Sequence, residues 1–117
     1  MLAVTYAFNF TATHSIPGGL RFEATPHPHF YRVEIEISGM VRDNMQIINP
    51  TQIHKIVKQE IMEKYDGKLL NEIYVIPTVE ALLTSIAIDL KRKLKNLTKV
   101  VLHESENIWA TATYELQ

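Results

Sequence analysis

A strict two-residue alternation governs the N-terminal third of the chain and limits its fold more than any other feature. In "LAVTYAFNFTATH", Leu2, Val4, Tyr6, Phe8, Phe10 and Ala12 share one parity, while Thr5, Asn9, Thr11 and Thr13 share the other. Successive strand side chains point to opposite faces, so this pattern predicts a half-buried β-strand. His14 continues the apolar parity. The stretch "SIPGGLRFEATP" (Ser15–Pro26) breaks the pattern with proline and paired glycine and is expected to be a loop. Alternation then resumes, with His27, His29, Tyr31, Val33, Ile35 and Ile37 set against Phe30, Arg32, Glu34, Glu36 and Ser38. Gly39 closes the segment.

Helical spacing takes over next. Asn49 is placed to cap, Pro50 suits the first helical position, and Gln52 is the candidate capping-box partner. Ile53, Ile56, Val57 and Ile61 then recur at helical intervals. Tyr65–Glu72 is the exit, with Gly67 as its stop. Thr78 caps a second helix whose apolar stripe is Leu82, Leu83, Ile86, Ala87, Leu90 and Leu94. Two strands are expected at the end, Thr98–Ser105 and Ile108–Leu116, joined by a tight turn near Glu106–Asn107. The predicted class is α+β, in the order ββααββ, as one domain over residues 1–117. The natural packing is a four-stranded antiparallel sheet with both helices on one face. The hairpins suggest a weak two-fold repeat. The sheet's other face needs cover, and strand faces rich in Tyr, Phe and Thr point to a homo-oligomer.

Composition narrows the chemistry. The chain has no cysteine, which removes disulfides, thiolate metal sites and thiol nucleophiles, so any metal must be held by His, Asp or Glu. The formal net charge is −1, with acids and bases mixed along the chain, which supplies no footprint for nucleic acid or an anionic membrane. The basic run Leu90–Asn96 falls where a helix should end and complements its dipole. The N-terminus lacks the basic region and cleavage site of an export signal, and no apolar run approaches the roughly 20 residues of a membrane span. A soluble, cytoplasmic protein is expected.

Period two puts His27 and His29 on one side of a strand. If the first two strands pair as a hairpin, His14 lands beside them on the same face. Three neutral imidazoles plus a water form an open zinc site; the alternative is a set of partly exposed histidines at a sheet edge. His54 and His103 fall elsewhere. Glu104 is a second anomaly, because Val100, Leu102 and Glu104 share a parity that carries a carboxylate onto an apolar face. Either the strand frays there and leaves Glu104 in water, or the carboxylate receives N–H groups of a ligand.

Several short motifs occur together in a recognisable order. "FTATH" (Phe10–His14) resembles F-x-A-x-H, and "HPHFYRVEIEISG" (His27–Gly39) resembles H-G-H-x-Y followed by an alternating strand. "NPTQIH" (Asn49–His54) resembles D-F-x-x-L-K, and "DGKLLN" (Asp66–Asn71) resembles D-H-x-x-L-N. "PTVE" (Pro77–Glu80) resembles P-T-x-E-N, and "VVLHES" (Val100–Ser105) resembles v-x-v-x-E-T. Over almost its whole length the chain resembles the 6-pyruvoyltetrahydropterin synthase and 6-carboxytetrahydropterin synthase family. The resemblance implies a tunnelling fold, in which protomer sheets assemble into a ring-shaped barrel, as a trimer or hexamer. It implies zinc on His14, His27 and His29. It also implies that Glu104, with Thr78 and Glu80, holds the ring of a small-molecule pterin substrate.

The departures from the family pattern are specific. The family places a thiol four residues before the first histidine of H-G-H; that position is Glu23 here. The family's Asp-His pair is Asp66-Gly67, the glycine between the zinc histidines is Pro28, the Asp before the first helix is Asn49, and the Asn after P-T-x-E is Ala81. A carboxylate is a weak nucleophile but a competent general base. A branch of the family resembles this chain in carrying Glu at the thiol's position, and it is associated with retro-aldol cleavage of the dihydroneopterin side chain to a 6-hydroxymethyl product. On that reading Glu23 is base or acid, assisted by Asp66. The competing readings are an inert zinc- and pterin-binding homologue, in which Glu23 is a solvated loop acid, and a metal-free interaction module.

Overall fold

The computed structural model describes residues 1–116. Strands β1 (Leu2–His14) and β2 (His27–Gly39) pair antiparallel along their full length, from Leu2 opposite Gly39 to His14 opposite His27. Strand β3 (Leu97–His103) flanks β2, and β4 (Trp109–Thr113) completes a sheet of order β1-β2-β3-β4 with every neighbour antiparallel. A short helix α1 (Arg21–Ala24) interrupts the first loop. Between the hairpins, α2 (Pro50–Val57) runs through a π-helical turn (Lys58–Met62) into α3 (Glu63–Tyr65), and α4 (Val79–Lys93) follows. Two long helical units between two strand pairs is the ββααββ order that the alternation and the helical spacing predict.

Both helical units cover one face of the sheet. Phe10, Tyr31, Val33, Ile35, Ile37, Val100 and Leu102 face Ile53, Val57 and Ile61 from one unit and Leu82, Ile86 and Leu90 from the other. Each such side chain contributes about 1.5–3 kcal/mol when fully buried, which is why the apolar parity sets the register. Slipping one residue would present Thr and Glu to the helices instead. The opposite face is uncovered: Thr5, Ala7, Asn9, Arg32, Thr111 and Thr113 are exposed there, together with Phe30 at 81% and Trp109 at 56%. The molecule is drawn out to 54 × 23 × 23 Å, with a radius of gyration of 15.3 Å, against about 13 Å for a compact chain of this length.

The caps act largely as expected. Asn49 Oδ1 accepts from Thr51 N–H at 2.9 Å and Thr78 Oγ1 from Ala81 N–H at 3.2 Å. The Gln52 side chain returns no bond to Asn49 among the described residues, so the first cap is an Asx turn and not a capping box. Gly67, at φ +73°, ends the helix that Tyr65 closes. Strand boundaries differ from the alternation, and the last strand spans only Trp109–Thr113 instead of Ile108–Leu116. The Ser15–Pro26 loop contains α1, where Ala24 N–H reaches Leu20 O at 2.9 Å; one turn is too short to show a period. The β3 ladder stops at His103, because Glu104 and Ser105 both donate to Ile108 O, at 2.9 and 3.3 Å, and form the turn instead. Among the described residues no helix is long and apolar enough to cross a membrane.

Candidate functional site

The hairpin register assembles the histidines. His14 at the end of β1 sits opposite His27, and Ala12 sits opposite His29. Cross-strand neighbours are about 5 Å apart at Cβ, so the methyl group of Ala12 leaves room for imidazoles on that face. The three ring centroids are 4.6, 4.8 and 4.9 Å apart, with the rings roughly perpendicular to one another. One ligand-capable atom from each ring lies within 4.8 Å of the others. Pro28 is tolerated between two histidines because β3 ends opposite Arg32, which leaves this part of β2 as an edge.

Hydrogen bonding sets the tautomers. His14 Nδ1 lies 2.8 Å from Pro77 O and His27 Nδ1 lies 2.7 Å from Thr25 O. A carbonyl oxygen only accepts, so each Nδ1 carries its hydrogen and Nε2 is the ring atom left to bind a metal. Those two Nε2 atoms are 3.0 Å apart. Two lone pairs at that separation repel unless a proton or a cation lies between them. Burial pushes the His29 pKa down to about 4, and His14 and His27 push it further the same way. The His29 ring is therefore neutral near pH 7 and offers a third lone pair. Tetrahedral zinc with nitrogen bonds of 2.0–2.1 Å separates its ligand atoms by about 3.3 Å, so the donor set fits zinc, with the His14–His27 pair close to that spacing and His29 within 4.8 Å.

A cleft of about 470 Å³ opens onto the histidines, lined also by Ile16, Phe22, Glu23, Thr78, Val79, Glu80, Glu104 and Ile108. Helix α1 brings Glu23 into it, with Glu23 O accepting from Ile16 N–H at 2.7 Å. Gly19 lies directly against this side chain: a Cβ there would stand 2.9 Å from both Glu23 Cβ and Glu23 Oε2, and 3.2 Å from Ile16 O. Of the paired glycines, Gly18 takes the turn at φ +79° while Gly19 supplies clearance. In the sequence both read as loop breakers; the signal for the second role is a second glycine where the turn needs only one.

Glu104 combines parts of both expectations. The strand has ended before it, yet its side chain is only 14% exposed and its Oε1 lies 3.6 Å from His29 Nε2. Because His29 is neutral, this contact is not an ion pair. Burial raises the Glu104 pKa above the usual carboxylate range, His14 and His27 oppose that, and Glu80 and Glu23 reinforce it. Thr78 lines the cleft while capping α4, and Glu80 stands exposed at its rim. Phe22 and Ile108, which the motifs did not single out, form apolar walls at 69% and 50% exposure. Asp66 is not among the cleft-lining residues; its Oδ1 accepts from Thr11 N–H at 3.0 Å. His54 bonds Pro50 O and His103 bonds Glu34, both away from the cleft.

An α+β chain with three converging imidazoles at the end of a long hairpin, ringed by carboxylates, is the class that this geometry defines. The chain belongs to the 6-pyruvoyl tetrahydropterin synthase family, whose model matches residues 3–115. It is 38% identical over 102 residues, covering 87% of each chain, to an Archaeoglobus fulgidus protein whose name provisionally assigns it as a 6-carboxy-5,6,7,8-tetrahydropterin synthase. The fold is that of 6-pyruvoyl tetrahydropterin synthase from Caenorhabditis elegans (TM-score 0.82, 16% identity, 97% of this chain and 96% of that one). The Plasmodium falciparum enzyme is also similar (TM-score 0.72, 16% identity, 97% and 99% covered). So is a Plasmodium vivax 6-pyruvoyltetrahydropterin synthase described as the alanine variant of a catalytic glutamate (TM-score 0.58, 15% identity, 99% and 100% covered).

Proposed function

We propose that this chain is a zinc-dependent lyase acting on the side chain of a 6-substituted dihydropterin, dihydroneopterin or its triphosphate, by retro-aldol cleavage to a 6-hydroxymethyl product. The observation that carries the reading is Glu23 in one cleft with three imidazoles whose lone pairs converge. His14, His27 and His29 would hold the metal, which when bound supplies Lewis-acid polarisation of a side-chain oxygen. Glu104, with Thr78 and Glu80, receives the amide and amino N–H groups of the pterin ring. Glu23 takes the proton from the second side-chain hydroxyl. The bond between the first and second side-chain carbons breaks, its electron pair passes to the ring imine, and a two-carbon aldehyde leaves. Return of the proton to the first side-chain carbon completes the 6-hydroxymethyl group. A catalytic glutamate in the Plasmodium vivax enzyme supports giving Glu23 this part. Asp66 is assigned no proton-transfer step, because its carboxylate is bound to a backbone N–H outside the cleft.

Among the described residues the uncovered sheet face and the Leu2–Asn9 edge of β1 support assembly of several copies; the trimer or hexamer rests on the family resemblance. A light-scattering mass equal to one chain would end that part. The second reading is an inert zinc- and pterin-binding homologue, favoured by Gly67 where the family carries an imidazole. Replacing Glu23→Gln separates the two. The lyase reading requires wild-type turnover that falls by about 10²–10⁴-fold with pterin binding intact; the inert reading requires tight binding with no turnover by either protein.

A further inference from the structure

The outward N–H groups near the end of β1 belong to alternate residues, Thr11, Thr13 and Ser15, and one distant segment satisfies all three. Asp66 Oδ1 accepts from Thr11 N–H at 3.0 Å, Lys68 O from Thr13 N–H at 2.9 Å, and Asn71 Oδ1 from Ser15 N–H at 2.8 Å. Two of these acceptors are side chains. Asn71 also returns a bond, Nδ2–H to Ser15 O at 2.9 Å, so its amide reads both backbone groups of the residue next to His14. Gly67 N–H adds a bond to Thr11 O at 2.6 Å. The same segment then runs on to Pro77, whose carbonyl receives His14 Nδ1–H at 2.8 Å. His14 is thus held from three directions: by its strand, by the Asn71 amide at Ser15, and by the Pro77 carbonyl at its own ring.

We infer that Asp66 and Asn71 are positioning residues that clamp the end of β1 and set the placement of the His14 ring, Asp66 acting as a hydrogen-bond acceptor and not as a proton carrier. The inference rests on the reading that His14, His27 and His29 bind a metal. It accounts for an aspartate standing in "DGKLLN" beside a glycine, with no imidazole to work with. The carboxylate supplies a ladder acceptor that the chain's own backbone does not reach, because the helix has just ended at Tyr65 and Gly67 turns the chain towards β1. Groups that orient a metal-bound histidine change metal affinity by about 10–100-fold when removed.

The test uses the full chain and zinc alone, titrated against a chromophoric chelator, with backbone amide exchange read on the metal-free protein. Asn71→Ala should weaken zinc binding by about 10–100-fold and speed exchange at Ser15 selectively, leaving the Ile35 and Val100 amides slow. Asp66→Asn keeps an acceptor oxygen and should hold zinc affinity, Thr11 exchange and turnover near wild type, whereas Asp66→Ala should lose the first two. Asn71→Ala with wild-type zinc affinity would overturn the clamp. Asp66→Asn with unchanged zinc affinity but abolished turnover would overturn its role for Asp66 and return that residue to the chemistry. If the wild type takes up no zinc, the metal reading fails on its own, and the clamp is then decided by whether Asn71→Ala speeds Ser15 exchange.

Discussion

Gly19→Ala is the most economical probe of where Glu23 must stand. A Cβ at position 19 would lie 2.9 Å from Glu23 Cβ and 2.9 Å from Glu23 Oε2. Carbon atoms in ordinary contact are about 3.5–4.0 Å apart, so Glu23 has to withdraw by about 0.6–1 Å. The carboxylate could swing, but the Cβ is fixed to the backbone of α1 and carries the displacement to the whole residue. Ile16 O, 3.2 Å from the same Cβ position, limits the alternative of moving residue 19. A catalytic group misplaced by about 1 Å costs on the order of 10²-fold in rate. Gly19 is not at a positive φ, so the backbone accepts alanine and the unfolded chain loses freedom; by itself that favours stability by about 0.4–1 kcal/mol. The expected result is therefore a fall of about 10²-fold in turnover of the dihydropterin side chain, with zinc content and melting temperature near wild type. Steady-state kinetics on the zinc-loaded protein reads it. Full activity in Gly19→Ala would refute the claim that the position of Glu23 matters to the reaction.

Further outcomes follow from the same contacts. Asn49→Ala removes the bond to Thr51 N–H and should cost about 1 kcal/mol in urea denaturation, with m unchanged. The Tyr31 hydroxyl is buried with no hydrogen-bond partner among the described residues, so Tyr31→Phe should leave stability unchanged or raise it; a loss above about 1 kcal/mol would mean that the hydroxyl is paired, for instance with a bound water. Glu34 is held below the usual carboxylate range, chiefly by its hydrogen bond with His103. A depressed pKa contributes stability above the unfolded value of about 4.3 and loses it as pH falls through the folded value. The pair is partly buried on the open face and still screened by solvent, so Glu34→Gln should flatten the acid limb of the stability curve by less than about 1 kcal/mol; an unchanged acid limb would show that the pair contributes nothing.

What could be read from the chain alone follows the range of each signal. Strand parity is local, and it fixed both the register of β1 on β2 and the meeting of His14, His27 and His29. Helix caps are local as well, and Thr78 is found where its neighbours place it. Glu104 was ambiguous because its fate depends on Ile108 O drawing the Glu104 and Ser105 amides into a turn, while burial against His29 comes from another strand. The steric part of Gly19 depends on a through-space approach that no spacing rule encodes. Asn71 and Asp66 reach residues 56 and 55 positions away, so their attachment to β1 appears only once the chain is folded.

On the proposed function, zinc and Glu23 together cleave a dihydropterin side chain in this cleft. That cleavage is tested most directly by incubating the zinc-loaded chain with dihydroneopterin and with its triphosphate, following product fluorescence and mass. The expected products are a 6-hydroxymethyl dihydropterin and a two-carbon aldehyde in equal amounts, with the rate lost in Glu23→Gln. No turnover of either compound by protein that carries about one zinc per chain would contradict it.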